Sequence, residues 1–294
     1  MIRSQRWKGA AFTVPFQLGF LLLFVVPIGY AVYQSLFHEQ QSGLGLGGAT
    51  KEFVGLDNYQ HGLTDGAFMG SVLRVFLFAC VQIPVMLCIS LVLALLLDAA
   101  TARAANRFRI LLLVPYMIPG VVAAIVWINL YSPEVGPLTS IGDALGLAWD
   151  FFAPSMVWPS IGNLLTWHGI GYNMVILYSA LQAVPRELFE AARLDGASEL
   201  RIARSIKVPY LRGALVLTGL LSIIQMLQIF NEPALFRNVT PQTVDDAFTP
   251  IMIIYNQAFN ANNYHYAAAL SVLLALILGV ASFLFYRFTS KEAD

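Results

Sequence analysis

The chain has 294 residues, 58% of them hydrophobic and 12% charged, with 17 basic and 17 acidic side chains and a formal net charge of zero. Soluble domains carry about 25% charged residues, so half that density cannot clothe a globule of this size in solvated groups. Composition therefore excludes an ordinary soluble enzyme, a disordered chain and a nucleic-acid binder, and points to a polytopic membrane protein.

A bilayer core of about 30 Å needs roughly 20 apolar residues in helical form. Six stretches meet that need, with approximate limits Phe16–Phe37, Ser71–Leu97, Ile110–Tyr131, Ile161–Ala183, Ala214–Asn231 and Ala267–Phe288. The absence of strand-like alternation makes each of them a helix rather than a barrel strand. Pro27, Pro84, Pro115 and Pro119 fall inside spans, where neighbouring helices can satisfy the backbone groups a proline frees. The first span is too long for a cleaved signal peptide, and its small-residue flank precedes the apolar run. Cys80 and Cys88 lie in one apolar stretch and support neither a disulfide framework nor a metal site. The expected fold class is all-α, one membrane domain over residues 1–294, with no soluble domain appended.

Lys and Arg are unevenly divided between the two sides. One side holds Arg3, Arg6 and Lys8, then Arg103, Arg107 and Arg109, then six basic residues from Arg186 to Arg212, then Arg287 and Lys291. The other holds only Lys51, Arg74 and Arg237. Acidic residues run the opposite way, seven (among them Asp98, Glu292 and Asp294) against ten. Basic residues stay cytoplasmic, so both termini are expected in the cytoplasm. The neutral total is thus +7 on the inner side and −7 on the outer. Two outer segments, about 38–70 and 132–160, are rich in Gly, Asp and Pro and read as loops or surface helices.

The most informative inner segment lies before the fifth span, over 185–211. It predicts a short amphipathic helix, a turn at Gly196 and a second helix ending before Pro209. Pro185 suits a helix start, and Glu187 and Glu190 suit the positive end of the helix dipole. Ala191 and Ala192 allow close approach by another protein. Gly196 can adopt a left-handed turn at no steric cost.

The run Glu190-Ala191-Ala192-Arg193-Leu194-Asp195-Gly196-Ala197, followed by Ile206-Lys207-Val208-Pro209, resembles the EAA motif of ABC importer permeases. Phe53-Val54-Gly55-Leu56-Asp57-Asn58-Tyr59 is similar to a signature of the carbohydrate-type members. Arg109, Pro115, Pro119, Trp167, Gly171, the Tyr178–Pro185 run and Tyr266–Ala269 extend the likeness along most of the chain. The resemblance implies a type I ABC importer permease fold in a prokaryotic inner or plasma membrane. It also implies a coupling helix seated on a separate ATPase. Two ATPase subunits, a second permease of different sequence and an extracytoplasmic binding protein would complete the assembly. ATP and Mg²⁺ would be used by the ATPases, with no cofactor bound to this chain. On the same basis Glu190 and Gly196 are the expected coupling positions, with Ala191, Ala192, Arg193, Asp195, Ala197 and Pro209 around them.

Polar side chains at membrane depth are costly and often line a cavity. In the fifth span Gln225, Gln228 and Glu232 are spaced to share one helical face, and Asn231 lies beside them. The fourth span supplies Trp167, His168, Tyr172 and Asn173. Amides match sugar hydroxyls and an aromatic ring can stack on a sugar face, so Gln225, Gln228, Asn231, Trp167 and Asn173 are candidates for a substrate path. Hydrogen bonding between helices accounts for the same residues equally well. No Gly-Lys pair occurs anywhere, so no phosphate loop exists. The leading reading is an ATP-driven importer of a sugar or oligosaccharide. A polyol or glycerol-phosphate cargo is the alternative within that architecture. An ion-coupled transporter would need acidic residues at the centre of a span, and none stands there.

Overall fold

A computed structural model of the chain describes residues 12–41, 49–99 and 102–290. Arg3, Arg6, Lys8, Lys291, Glu292 and Asp294 lie outside the described residues, as does the Arg103 side chain. In chain order the elements are α1 (Phe12–Ser35), β1 (Phe37–Gln41), β2 (Ala49–Phe53), α2 (Asp57–Thr64) and α3 (Gly66–Ala99). Next come α4 (Ala102–Met117), α5 (Gly120–Tyr131), α6 (Pro137–Ala144), α7 (Val157–Leu181) and α8 (Arg186–Leu194). The chain ends with α9 (Glu199–Tyr210), α10 (Arg212–Leu227), α11 (Asn231–Val239), α12 (Pro250–Tyr255) and α13 (Tyr264–Ser290).

Each of the six expected stretches lies mostly on helix, although Phe37 at the end of the first belongs to β1. Three helices, α1, α3 and α13, are long and apolar enough to cross a membrane, and up to five if two bent helix pairs each count as one span. α7, 25 residues long, is not among them. α3 runs unbroken through Pro84.

Three expectations need correction. The third span is not straight: α4 and α5 meet at 93°. Proline disfavours helical geometry at the residue before it, and the break falls at Ile118 before Pro119. The fifth span stops at Leu227 instead of continuing to Asn231, and Gln228, with φ −103° and ψ 16°, has left the helix. The outer segment read as loops or surface helices opens with an antiparallel hairpin. Phe37 pairs with Phe53, His38 with Glu52 and Glu39 with Lys51. These facing aromatic and opposite-charge pairs are the usual unit of sheet stabilisation.

The chain divides into two packed groups. The first comprises the described residues up to Met69 together with Ile253–Ile277. Here the Asn58 amide donates to the carbonyls of Ser35 (2.9 Å) and Phe37 (2.7 Å), and the Tyr59 hydroxyl hydrogen-bonds that of Ser35. The Phe53–Tyr59 signature thus clasps the hairpin to the end of α1. Tyr266 donates to Asp65 (2.9 Å), and the ring Nδ1 of His265 lies 2.9 Å from the Gln34 carbonyl. Along α1, Ser35 is the one buried residue, as a lipid-facing helix requires.

The second group comprises the described residues of Gly70–Met252 and those from Leu278 onward. Its core gathers Ala94 and Leu97 from α3, Met174, Leu177 and Leu181 from α7, and Leu211. α4 and α7 cross very closely. A side-chain carbon on Gly171 would lie 1.9 Å from the Leu112 carbonyl oxygen, so only glycine fits. Small residues permit such backbone approach where lipid supplies no hydrophobic drive between helices.

Candidate functional site

Two sites emerge within the second group. The first is a cavity of about 620 Å³, within the range of small-ligand pockets, walled by the α4–α5 break, α7 and the α10–α11 break. Both helix interruptions, at Ile118–Pro119 and at Gln228–Phe230, contribute to its wall. Irregular backbone at membrane depth is tolerated where it lines a cavity, and discontinuous helices build the binding sites of many transporters.

Gln225, Gln228, Asn231 and Asn173 all line this cavity, with His168, Tyr172 and Glu232. The one-face spacing argument is nevertheless wrong. Gln225 lies in the last turn of α10, Gln228 in the break and Asn231 at the start of α11. The bend converges them; helical periodicity does not. Asn173 is buried and donates to the Gly169 carbonyl at 3.2 Å. Trp167 does not line the cavity. It packs edge-on against Trp127 at 5.7 Å, because its neighbour His168 takes the facing position on α7.

Tyr116 was not among the candidates. Its ring stacks on Tyr172 with centroids 4.6 Å apart and planes at 15°, giving the cavity an aromatic wall. His168 stands 5.6 Å from Tyr116, with Nε2 3.0 Å from the Ile118 carbonyl. That carbonyl can only accept, so Nε2 carries a proton. The signal for Tyr116 was Pro119, whose bend turns the preceding turn toward α7.

The second site is the segment after α7. Pro185, with φ −58° and ψ 129°, sits just before α8 rather than inside it. The end of α8 closes with two nested bonds: Gly196 N–H donates to the Arg193 carbonyl (3.0 Å) and Ala197 N–H to the Ala192 carbonyl (2.9 Å). Gly196 has φ +79°. This is the left-handed helix stop that glycine adopts at least cost. Ser198 then caps α9 by accepting from Arg201 N–H at 3.4 Å.

Arg193 donates to Glu199 across the turn at 2.8 Å. This bond holds the Glu199 carboxyl below the usual glutamate range and raises the Arg193 guanidinium further. The helix after the turn does not end before Pro209. α9 continues to Tyr210 through a π-helical turn, Ala203–Lys207, which precedes the proline. The wider turn accommodates the ring that would clash in a regular helix.

Pro209 is half-buried, whereas Glu190, Ala191, Arg193, Asp195 and Gly196 are exposed, with Ala192 and Ala197 partly so. α8 contains no buried residue at all. Leu194 is 89% and Leu200 80% exposed on either side of the turn. One anchor was invisible in sequence. Lys207 Nζ donates to Asp98 at 2.6 Å, both side chains largely buried. Gln182 donates to the other oxygen of Asp98 at 3.0 Å, and Lys207 lies 5.1 Å over the Phe189 ring. The pair ties the π-turn to the end of α3.

Several known proteins resemble the chain over nearly its full length. It is 26% identical to the sn-glycerol-3-phosphate transport system permease protein UgpA of Pectobacterium atrosepticum, covering 98% of this chain and 96% of that one. It is 28% identical to the lactose transport system permease protein LacF of Rhizobium radiobacter, covering 90% and 89%. Among solved structures, a bacterial ABC transporter that imports the acidic polysaccharide alginate superposes with a TM-score of 0.81 at 16% identity, covering 99% and 98%. At that identity the likeness speaks for the fold, that of a type I importer permease. The family described as "binding-protein-dependent transport system inner membrane component" matches residues 62–292. The chain belongs to that family, and is a non-catalytic, multi-pass inner-membrane permease subunit of an ABC importer.

Proposed function

We propose that this chain carries a sugar or oligosaccharide through the cavity between the two helix breaks, driven by an ATPase seated on the Glu190–Ala197 turn. The observation that carries the cargo side is the convergence of Gln225, Gln228 and Asn231 opposite the stacked Tyr116 and Tyr172. Neutral amides exchange hydrogen bonds with hydroxyls in either direction. Relatives are named for lactose, multiple sugars and diacetylchitobiose as well as sn-glycerol 3-phosphate. This lining supports the sugars.

The coupling side rests on exposure. A short helix that buries nothing, flanked by Leu194 and Leu200, suits a partner's cleft better than water. Two ATPase subunits hydrolyse ATP with Mg²⁺ as their cofactor, and this chain binds neither. A second permease of different sequence completes the path, and an extracytoplasmic binding protein delivers the cargo. Both termini and the 185–211 segment face the cytoplasm.

Two variants separate the roles. The Q225A/Q228A pair should lower uptake of the binding protein's cargo at least tenfold in vesicles of the assembled transporter, with the ATPase still co-purifying. L194D should instead strip the ATPase during purification. Normal uptake in the first variant would remove the cavity from the path, and retained ATPase in the second would remove the docking turn.

A further inference from the structure

Glu232 gives the cavity a sign. Among the described residues its lining holds this one carboxylate and no lysine or arginine. The other polar groups are neutral amides, hydroxyls and the His168 ring. Glu232 is the second residue of α11 and lies directly against the α4–α5 break. A carbon placed on Gly120 would come within 3.2 Å of its Oε1. The carboxylate therefore abuts bare backbone rather than a cation. A first-turn glutamate also gains from the helix dipole, which explains its tolerance there without cancelling its field in the cavity. Low-dielectric walls concentrate the field of a single charge on whatever enters, and discrimination is often built from repulsion.

We infer that the Glu232 carboxylate is a charge filter that admits neutral or amino-substituted glycans and rejects phosphorylated or uronate ones. This inference rests on the cavity being the cargo path. It divides the possible cargoes by charge rather than by hydrogen bonding. A neutral sugar passes with its hydroxyls paired to Gln225, Gln228 and Asn231. A protonated amine gains an ion pair with Glu232. A phosphate or carboxylate meets like charge with no compensating cation on the wall.

The experiment measures the charge without needing the cargo. In the assembled transporter in nanodiscs, C80S and C88S remove the native thiols and Q228C places one on the cavity wall. A cationic methanethiosulfonate (ethyltrimethylammonium) and an anionic one (ethylsulfonate) are compared, each normalised to a free thiol in solution. The cationic reagent should react about tenfold faster or more, a span typical of charged clefts. Adding E232Q, which keeps the shape and removes the charge, should bring the two rates together, and E232K should invert them. Equal rates before E232Q, an unchanged ratio after it, or no labelling by either reagent would overturn the inference. The path itself is judged separately by Q225A/Q228A uptake: loss there with no E232Q effect on the ratio defeats the filter alone. Normal uptake with the predicted ratio leaves a charged cavity that cargo does not cross.

Discussion

The 2.6 Å bond between Lys207 and Asp98 shows what single residues do here. Both are largely buried, and removing one partner of a buried pair leaves an uncompensated charge that costs about 3–5 kcal/mol. K207M should therefore lower the denaturation midpoint of the solubilised complex sharply. The D98N/K207M double variant, which removes both charges, should recover most of the loss. In the sequence these residues were only counts in the charge asymmetry, because a pairing across 109 positions leaves no local trace. Gly196 is the opposite case. Its φ of +79° was legible from its place just past a helical run, and alanine there should destabilise the turn by about 1 kcal/mol. ATPase retention by G196A, measured by titrating salt during co-purification, should fall at lower salt than wild type.

At the scale of elements, the helices were legible and their interruptions only partly so. Apolar length marked six stretches, among which the described helices include three candidate spans, or up to five if each bent pair counts as one. Pro119 was visible, but as a tolerated proline rather than a 93° bend. The stop at Leu227 has no Gly or Pro until Pro233. Nothing local announces it, so the shared-face reading of Gln225 and Gln228 failed while their meeting in one cavity did not. The β1–β2 hairpin was hidden by a short, polar sequence whose pairing is evident only across the strands. Gly171 marks the tightest crossing, and G171L, colliding with the Leu112 carbonyl, should force α4 and α7 apart. Loss of folded protein in size-exclusion chromatography would report it. The turn between α8 and α9 also carries a pH dependence. Because Arg193 lowers the Glu199 carboxyl, the pair's contribution is full above the ordinary glutamate range and is lost as pH falls through the lowered value. Exposed pairs contribute little, so ATPase retention should weaken only modestly below about pH 4, and E199Q should abolish that acid dependence.

For the molecule as a whole, a neutral total conceals two unequal sets of segments, one basic and one acidic. Six basic residues between Arg186 and Arg212 gather where the exposed turn stands. Cavity and turn are joined through consecutive elements: α10 supplies Gln225 at its end and follows α9 through a 63° bend at its start. Under the proposed coupling, a movement imposed on the turn would be delivered to a helix that walls the cavity. The central claim is that ATP hydrolysis outside this chain drives cargo through it by way of that turn. The most direct measurement is cargo uptake into vesicles of the reconstituted transporter, with and without ATP, in wild type and in E190A. Uptake is expected only with ATP, and is expected to be lost in E190A with the cavity residues untouched. Uptake by wild type without ATP, or undiminished ATP-driven uptake by E190A, would contradict that claim.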